Sequence, residues 1–359
     1  VIMAHHAADI RDRSDAIDVL RTIDTNLSWL RNLKRTKSRF LILAHNSSDR
    51  SSVVLKIVPK EAPISEHQHF LQRHFAARQF NHPNIVRCLE VHSIEDGVTY
   101  VRMEAVKGSD LETLLNIHSR FSEDEALAIV RGVLTGLEAI HEQDIVHCGI
   151  HPSNIMIANQ APFIKLINFS FAHSVGEKIA RSMQQDPAYL APEQLLEGKN
   201  ATRAIDIWAV GILLYHMISG EFPFQTSDRM EDVMQWIKVG EPQDLSEELH
   251  ISSSTVFLYK RALSKDPMLR PAHADEMLVF IEPDRNQKGE ELVETADAQL
   301  QNMEKRLLAM RMARMRIHQV LVEEKAKLEN MFRRLSKISV FNEDANISLT
   351  NSQLSERIA

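Results

Sequence analysis

The sequence predicts an α+β protein in which strands come first, helices follow, and a long coiled-coil helix closes the chain. Three observations predict this order. Strand-like runs rich in Val, Ile, Leu and Tyr fall before residue 106. Helical spacing of apolar residues takes over from residue 109. Beyond Pro283, apolar residues recur at alternating steps of three and four, and neither glycine nor proline occurs between Val293 and Ile338.

Size and composition set the frame. The 359 residues leave room for one domain of ~250–300 residues plus an extension. A hydrophobic content of 44% supports a real core, and 25% charged residues is ordinary. The formal net charge of −7 gives no case for nucleic acid or an anionic membrane as partner. No apolar run reaches the ~18 residues of a membrane span, and the first residues lack the charged-then-apolar pattern of a signal peptide. Val1 stands where an initiator Met would be expected, as in a trimmed or incomplete start. The two cysteines, Cys88 and Cys148, have no metal-ligand spacing. They imply a reducing compartment, the cytoplasm, with the nucleus left open.

The elements follow in order. Across Asp9–Asn32, residues Ile17, Leu20, Ile23, Leu27 and Leu30 have near-helical spacing, which predicts an N-terminal helical extension (residues 1–27) docked on the following sheet. Strands are expected at Arg39–His45, Ser52–Pro59, Val86–His92 and Thr99–Ala105, with Glu95-Asp96-Gly97 as a hairpin turn. Ser109 or Asp110 caps a helix, and Ser122-Glu123-Asp124-Glu125 opens another in capping-box fashion. That second helix carries Leu127, Val130, Leu134, Leu137 and Ile140 on one face. Ile155–Ile157 and Phe163–Ile167 form a short hairpin, and the rest is helical.

The chemistry-bearing segments lie within this frame. Residues 147–154 read His147-Cys148-Gly149-Ile150-His151-Pro152-Ser153-Asn154, and Asn168-Phe169-Ser170 follows fourteen residues after Asn154. Before them come Val53-Val54-Leu55-Lys56, His82-Pro83-Asn84-Ile85-Val86 and Met103-Glu104-Ala105-Val106. After them come Ala191-Pro192-Glu193, Asp206-Ile207-Trp208-Ala209-Val210-Gly211 and Asp266-Pro267-Met268-Leu269-Arg270-Pro271. In this order the segments resemble the protein-kinase superfamily, whose catalytic loop is spaced H-R-D-x-x-x-x-N and whose metal-binding motif is D-F-G. The resemblance covers residues 28–283 and implies a two-lobed protein-kinase-like fold, a small antiparallel β-sheet lobe followed by a large helical lobe.

The resemblance also assigns roles and shows which are vacant. His147, Phe169, Asp206, Glu193 and Arg270 match framework positions. Gly149 replaces the catalytic Asp, His151 the phosphate-side Lys, Asn168 the metal-binding Asp, Ser170 the following Gly, and Arg73 the glutamate of the αC helix. Lys56 and Arg73 would then repel, with Glu66 the nearest substitute. Cys148 replaces the arginine that would dock a phosphorylated activation segment, leaving Ser174 and Ser182 without a phosphate partner from that loop. His151 could in principle act as a weak general base, but it is expected in the wrong position and with no aspartate nearby to orient it. Lys56, Glu104, Val106 and Asn154 line the candidate nucleotide pocket, whose roof Val54 would crowd. The stretch expected to cover phosphates, Leu33–Arg39, holds no glycine, and the first of the chain's 11 glycines is Gly97. A metal would find amide oxygens from Asn154 and Asn168 and no carboxylate, so no metal site is expected.

These replacements imply a catalytically inactive kinase-like protein, a pseudokinase, acting as scaffold or allosteric partner in intracellular signalling. No cofactor is expected unless ATP binds without Mg. The alternatives are a divergent serine/threonine kinase with weak ATP-dependent activity, or a Mg-independent ATP-binding adaptor that activates a partner kinase. The expected partners are proteins, an active kinase among them.

The C-terminal seam is the second interaction feature. Twelve of its 14 positions from Val293 to Ile338 are apolar, with Leu300, Leu307, Leu321, Leu328 and Leu335 in d positions. Residues 284–341 are read as a two-stranded parallel coiled coil ~70 Å long, and residues 342–359 as a disordered tail. A homodimer is the first expectation, and Arg314 and Glu324 within the seam make a heterotypic coiled coil its close alternative. Two other readings are a helix folded back on the lobe and, from Lys305, Arg306, Arg311, Arg314 and Arg316 among methionines, a calmodulin-target helix. Leu321→Asp should halve the molar mass measured by light scattering while the preceding domain stays folded. A full chain that is monomeric at tens of micromolar would exclude the homodimer.

Overall fold

The computed structural model describes residues 17, 19–21, 23–35, 39–93, 97–179, 185–196, 198–225, 227, 229–245 and 247–281. The segments read as a coiled coil (284–341) and as a tail (342–359), together with Glu95, Asp96 and Ser182, lie outside the described residues.

The small lobe is a five-stranded antiparallel sheet. Strands β1 (Leu27–Arg35), β2 (Phe40–Asn46), β3 (Ser52–Val58), β4 (Cys88–Ser93) and β5 (Thr99–Glu104) pair in the order β1-β2-β3-β5-β4. Alternation along β3 sorts its side chains between two faces. Val53, Leu55 and Ile57 are buried in one cluster with Leu20, Leu27, Ile42, Ala44 and Tyr100. Val54 and Lys56 lie on the opposite face, half-buried.

The first strand corrects the expected N-terminal helix. Residues 17, 19–21 and 23 are helical, but Leu27–Arg35 is a strand paired with β2, with irregular register at Trp29/Arg31 and Asn32/Lys34. Those irregularities break strict period-two patterning, so Leu27 and Leu30 fell on helical spacing by coincidence. Leu20 is 1% exposed, and Val19 and Ile23 pack beside it on the outer face of the sheet.

Helix α1 (Ile64–Arg78) links β3 to β4 and buries Phe70, His74 and Ala77. The large lobe contains α2 (Leu111–His118), α3 (Glu123–His141), α4 (Ala204–Ser219), α5 (Met230–Val239), α6 (Ser253–Ala262) and α7 (Ala274–Ile281). Asp110 caps α2 by accepting from Thr113 N at 2.8 Å. Ser122 and Glu125 form the expected capping box on α3, and Val130, Leu134, Leu137 and Ile140 are buried along it. Helix α4 is nearly all apolar and passes through the centre of the lobe, with thirteen of its residues from Ile205 to Ile218 buried.

The catalytic-loop region sits on short strands. Strands β6 (Gly108–Asp110), β8 (Ile155–Ala158) and β9 (Ile164–Leu166) form one sheet, while β7 (Ile145–Val146) pairs with β10 (His173–Ser174). None of the described helices is long and apolar enough to cross a membrane.

Leu20→Ala should lower stability by about 2–5 kcal/mol, because it opens a cavity against the outer face of the sheet. That corresponds to a fall in Tm of roughly 5–15 °C for a domain of this size, measured by thermal unfolding.

Candidate functional site

The loop between β7 and β8 is anchored from beneath. The Asp206 carboxylate, fully buried on α4, accepts His147 N and Cys148 N, each at 2.8 Å. His141 Nε2 lies 2.9 Å from the same carboxylate. These bonds hold Cys148 at φ 54°, a left-handed conformation unusual for a side chain of this type. The His147 ring packs on Phe169 at 5.0 Å between centroids, and Phe169 stacks on Phe80 at 5.6 Å. Burial holds the His147 imidazole below its usual pKa, so it acts as a neutral packing and hydrogen-bonding ring.

Five residues of the site converge in a hydrogen-bonded chain. Lys56 Nζ donates to Asn168 Oδ1 at 2.7 Å and to Ser170 Oγ at 2.5 Å. Asn168 Nδ2 donates to Asn154 Oδ1 at 2.9 Å, and Asn154 Nδ2 donates to Gly149 O at 2.8 Å. Asn168 has φ 68° and ψ 73°, a conformation that asparagine tolerates well. Both amide oxygens that a metal would need are therefore already acceptors. Among the described residues no group of three or more His, Cys, Asp or Glu side chains is placed to hold a metal ion. A magnesium ion demands hard oxygen ligands in near-ideal octahedral geometry, so the residues present do not fit one.

Gly149 lies beneath an aromatic ring. A Cβ at this position would stand 3.0 Å from Phe171 Cδ2 and 3.5 Å from Phe171 Cβ. The half-buried Phe171 thus packs against the position from which a side chain at residue 149 would leave the backbone.

Several expected relations are corrected. Arg73 does not confront Lys56 but reaches Ala172 O, His173 and Glu177 of the following segment. Glu66 pairs with Arg39 at 2.9 Å and is thereby engaged away from the lysine. His151 does have an aspartate nearby, because its Nε2 lies 3.6 Å from Asp186 Oδ2. That contact is the main cause holding the Asp186 carboxyl below the usual carboxylate range. Meanwhile His151 Nδ1 lies 2.8 Å from Ser153 Oγ and accepts Ser153 N, capping the 3₁₀ turn Pro152–Asn154. Glu104 ends β5 and turns its carboxylate to Lys165 at 2.7 Å, and Val106 lies in the link leading to β6. Cys148 is fully buried and its thiol is pushed well above the usual range, so it offers no charge to a phosphate.

Two site features had no signal along the chain. Phe171 follows the Asn168-Phe169-Ser170 motif by one residue, but nothing in the pattern places its ring over Gly149. Asp186 is 35 positions from His151 and meets it only through the fold.

Comparisons with known proteins agree with this architecture. The protein kinase domain model matches residues 40–279. Human serine/threonine-protein kinase D3 is 35% identical over 196 residues, which cover 53% of this chain and 22% of that protein. Serine/threonine-protein kinase dkf-2 of Caenorhabditis briggsae is 38% identical over 161 residues, or 44% of this chain and 13% of the relative. Serine/threonine-protein kinase pkn3 of Myxococcus xanthus is 30% identical over 243 residues, covering 62% of this chain and 43% of the relative. The chain thus spans less than half the length of each of these relatives. With the family model matching more than half of its residues, on a two-lobed fold, the chain belongs to the protein kinase family.

Proposed function

We propose that this protein is a pseudokinase, a kinase-fold protein that works by binding rather than by phosphotransfer, as a scaffold or allosteric partner in intracellular signalling. The observation that carries this reading is Gly149 beneath Phe171. Phosphoryl transfer needs a carboxylate to receive the hydroxyl proton and metal ions to neutralise charge on the phosphates. The first is absent, and Phe171 packs tightly against the position that would carry it. The second would have to displace Lys56 from Asn168 and Asn168 from Asn154. The framework bonds of Asp206, and the buried Arg270–Glu193 pair at 2.7 Å, keep the large lobe intact for a binding role. The partner in this reading is a protein, reached through the apolar seam of residues 293–338, an active kinase being the natural candidate.

A second reading is favoured by the relatives, which are named serine/threonine kinases: a divergent kinase with weak activity. In a third, Lys56 grips ATP without magnesium. Label transfer separates the first two. The purified chain with Mg-ATP or Mn-ATP should show no phosphorylation above a Lys56→Ala control, and Lys56-dependent transfer would overturn the pseudokinase reading. Millimolar ATP should raise Tm little, since stabilisation follows RT ln(1+[L]/Kd). A rise of several degrees that persists in EDTA would favour the metal-independent nucleotide binder.

Restoring the aspartate tests the packing argument directly. Gly149→Asp should cost about 1–3 kcal/mol by overpacking against Phe171, read as a lower Tm, and should restore no transfer. A variant as stable as the parent would show that Phe171 yields freely and does not block the position.

A further inference from the structure

Arg73 lies on α1, where the kinase resemblance implies a glutamate, and its guanidinium spans the gap to the activation segment. Nη1 donates to Ala172 O, while Nη2 lies 2.9 Å from His173 Nε2 and 3.3 Å from Glu177 Oε1. The Arg73 side chain is 15% exposed and that of Glu177 31%, so solvent screens the pair only in part.

Glu177 is itself held in place. Its Oε2 accepts Ser174 N at 3.0 Å, and its carbonyl accepts Ala201 N at 2.8 Å. Neighbouring residues are bonded to the large lobe as well, Val175 N to Asp144 O at 2.8 Å and Gly176 N to Ala201 O at 2.9 Å. The segment is therefore fixed on one side by backbone bonds to the large lobe, and Arg73 ties its other side to α1 of the small lobe.

This arrangement inverts the usual supply of charge. A phosphate on such a segment is ordinarily read by cationic side chains, because it adds negative charge and strong acceptors where the chain has none. Here the position that would supply that arginine is Cys148, which is buried and uncharged. The negative charge is instead built into the chain as Glu177, and the cation that reads it comes from α1. Lys56 donates to Asn168 and Ser170, whereas Arg73 reaches Ala172, His173 and Glu177 further along the segment.

We propose that Arg73 and Glu177 form a clasp that fixes α1 against the activation segment independently of phosphorylation. The proposal concerns the regulation of the site described above, and its readout is backbone protection, so it stands or falls separately from the absence of phosphotransfer.

The test is hydrogen exchange of the full chain, followed in peptides covering 64–78 and 171–179, for Arg73→Gln, Glu177→Gln and the double variant. Each single substitution should accelerate exchange in both peptides about fivefold to tenfold, the range expected for a coupled, partly buried charge pair. In the Arg73→Gln background, Glu177→Gln should add no further acceleration. Phosphatase treatment of the parent protein should leave both peptides unchanged. Exchange unaltered in the single variants would overturn the clasp, as would additive effects in the double variant or loosening by phosphatase alone. If Arg73→Gln fails to fold by thermal unfolding, Glu177→Gln and the phosphatase comparison decide the matter, because Glu177 is partly solvent-accessible and its loss leaves the Arg73–Ala172 bond in place.

Discussion

The Asp206 carboxylate is the constraint on which the site depends. It is fully buried, yet it accepts two consecutive backbone N–H groups and faces His141. A buried carboxylate is tolerated only when its lone pairs are satisfied, and each bond to a charged acceptor is stronger than one between neutral groups. That energy is what holds Cys148 in a left-handed conformation. Without it the turn would relax, and Gly149, His151 and Asn154 would lose their common placement.

Framework and chemistry therefore rest on different kinds of contact. The framework uses buried charge: Asp206 with the loop, and Arg270 with Glu193 in a two-pronged pair at 2.7 and 2.9 Å. The cleft uses neutral acceptors, the amides of Asn154 and Asn168 and the hydroxyl of Ser170, around one lysine. Amides donate and accept at once, so they satisfy each other across the cleft, whereas two carboxylates there would repel and require a cation between them. The asparagines close on themselves for this reason.

Much of the fold was legible in the sequence because its signals are local. The Ser122/Glu125 capping box, the periodicity of Glu123–His141 and the β8–β9 hairpin each involve residues close along the chain. The strand at Leu27–Arg35 was not legible, since its pairing irregularities hide the alternation that marks a strand. In the site, the motif spacing identified Gly149, Asn154 and Asn168 as positions, but their mutual bonding needed the fold. Phe171 over Gly149, Asp186 beside His151, and Arg73 on Glu177 were invisible for a common reason. Each is a contact between elements far apart in sequence, decided by the direction in which a side chain leaves the backbone.

The separate engagements of Lys56 and Arg73 bear on information flow. In a two-state device, a ligand moves an equilibrium only by as much as it prefers one state over the other. Lys56 is the residue through which cleft occupancy would ordinarily be felt by α1, and here it donates to Asn168 and Ser170, while Arg73 of α1 reaches Glu177. In the proposed clasp, α1 takes part of its placement from a charge that the chain itself carries. On the proposed reading, the surface such a helix presents is set when the chain is made, and control rests with how many molecules are present and what they meet.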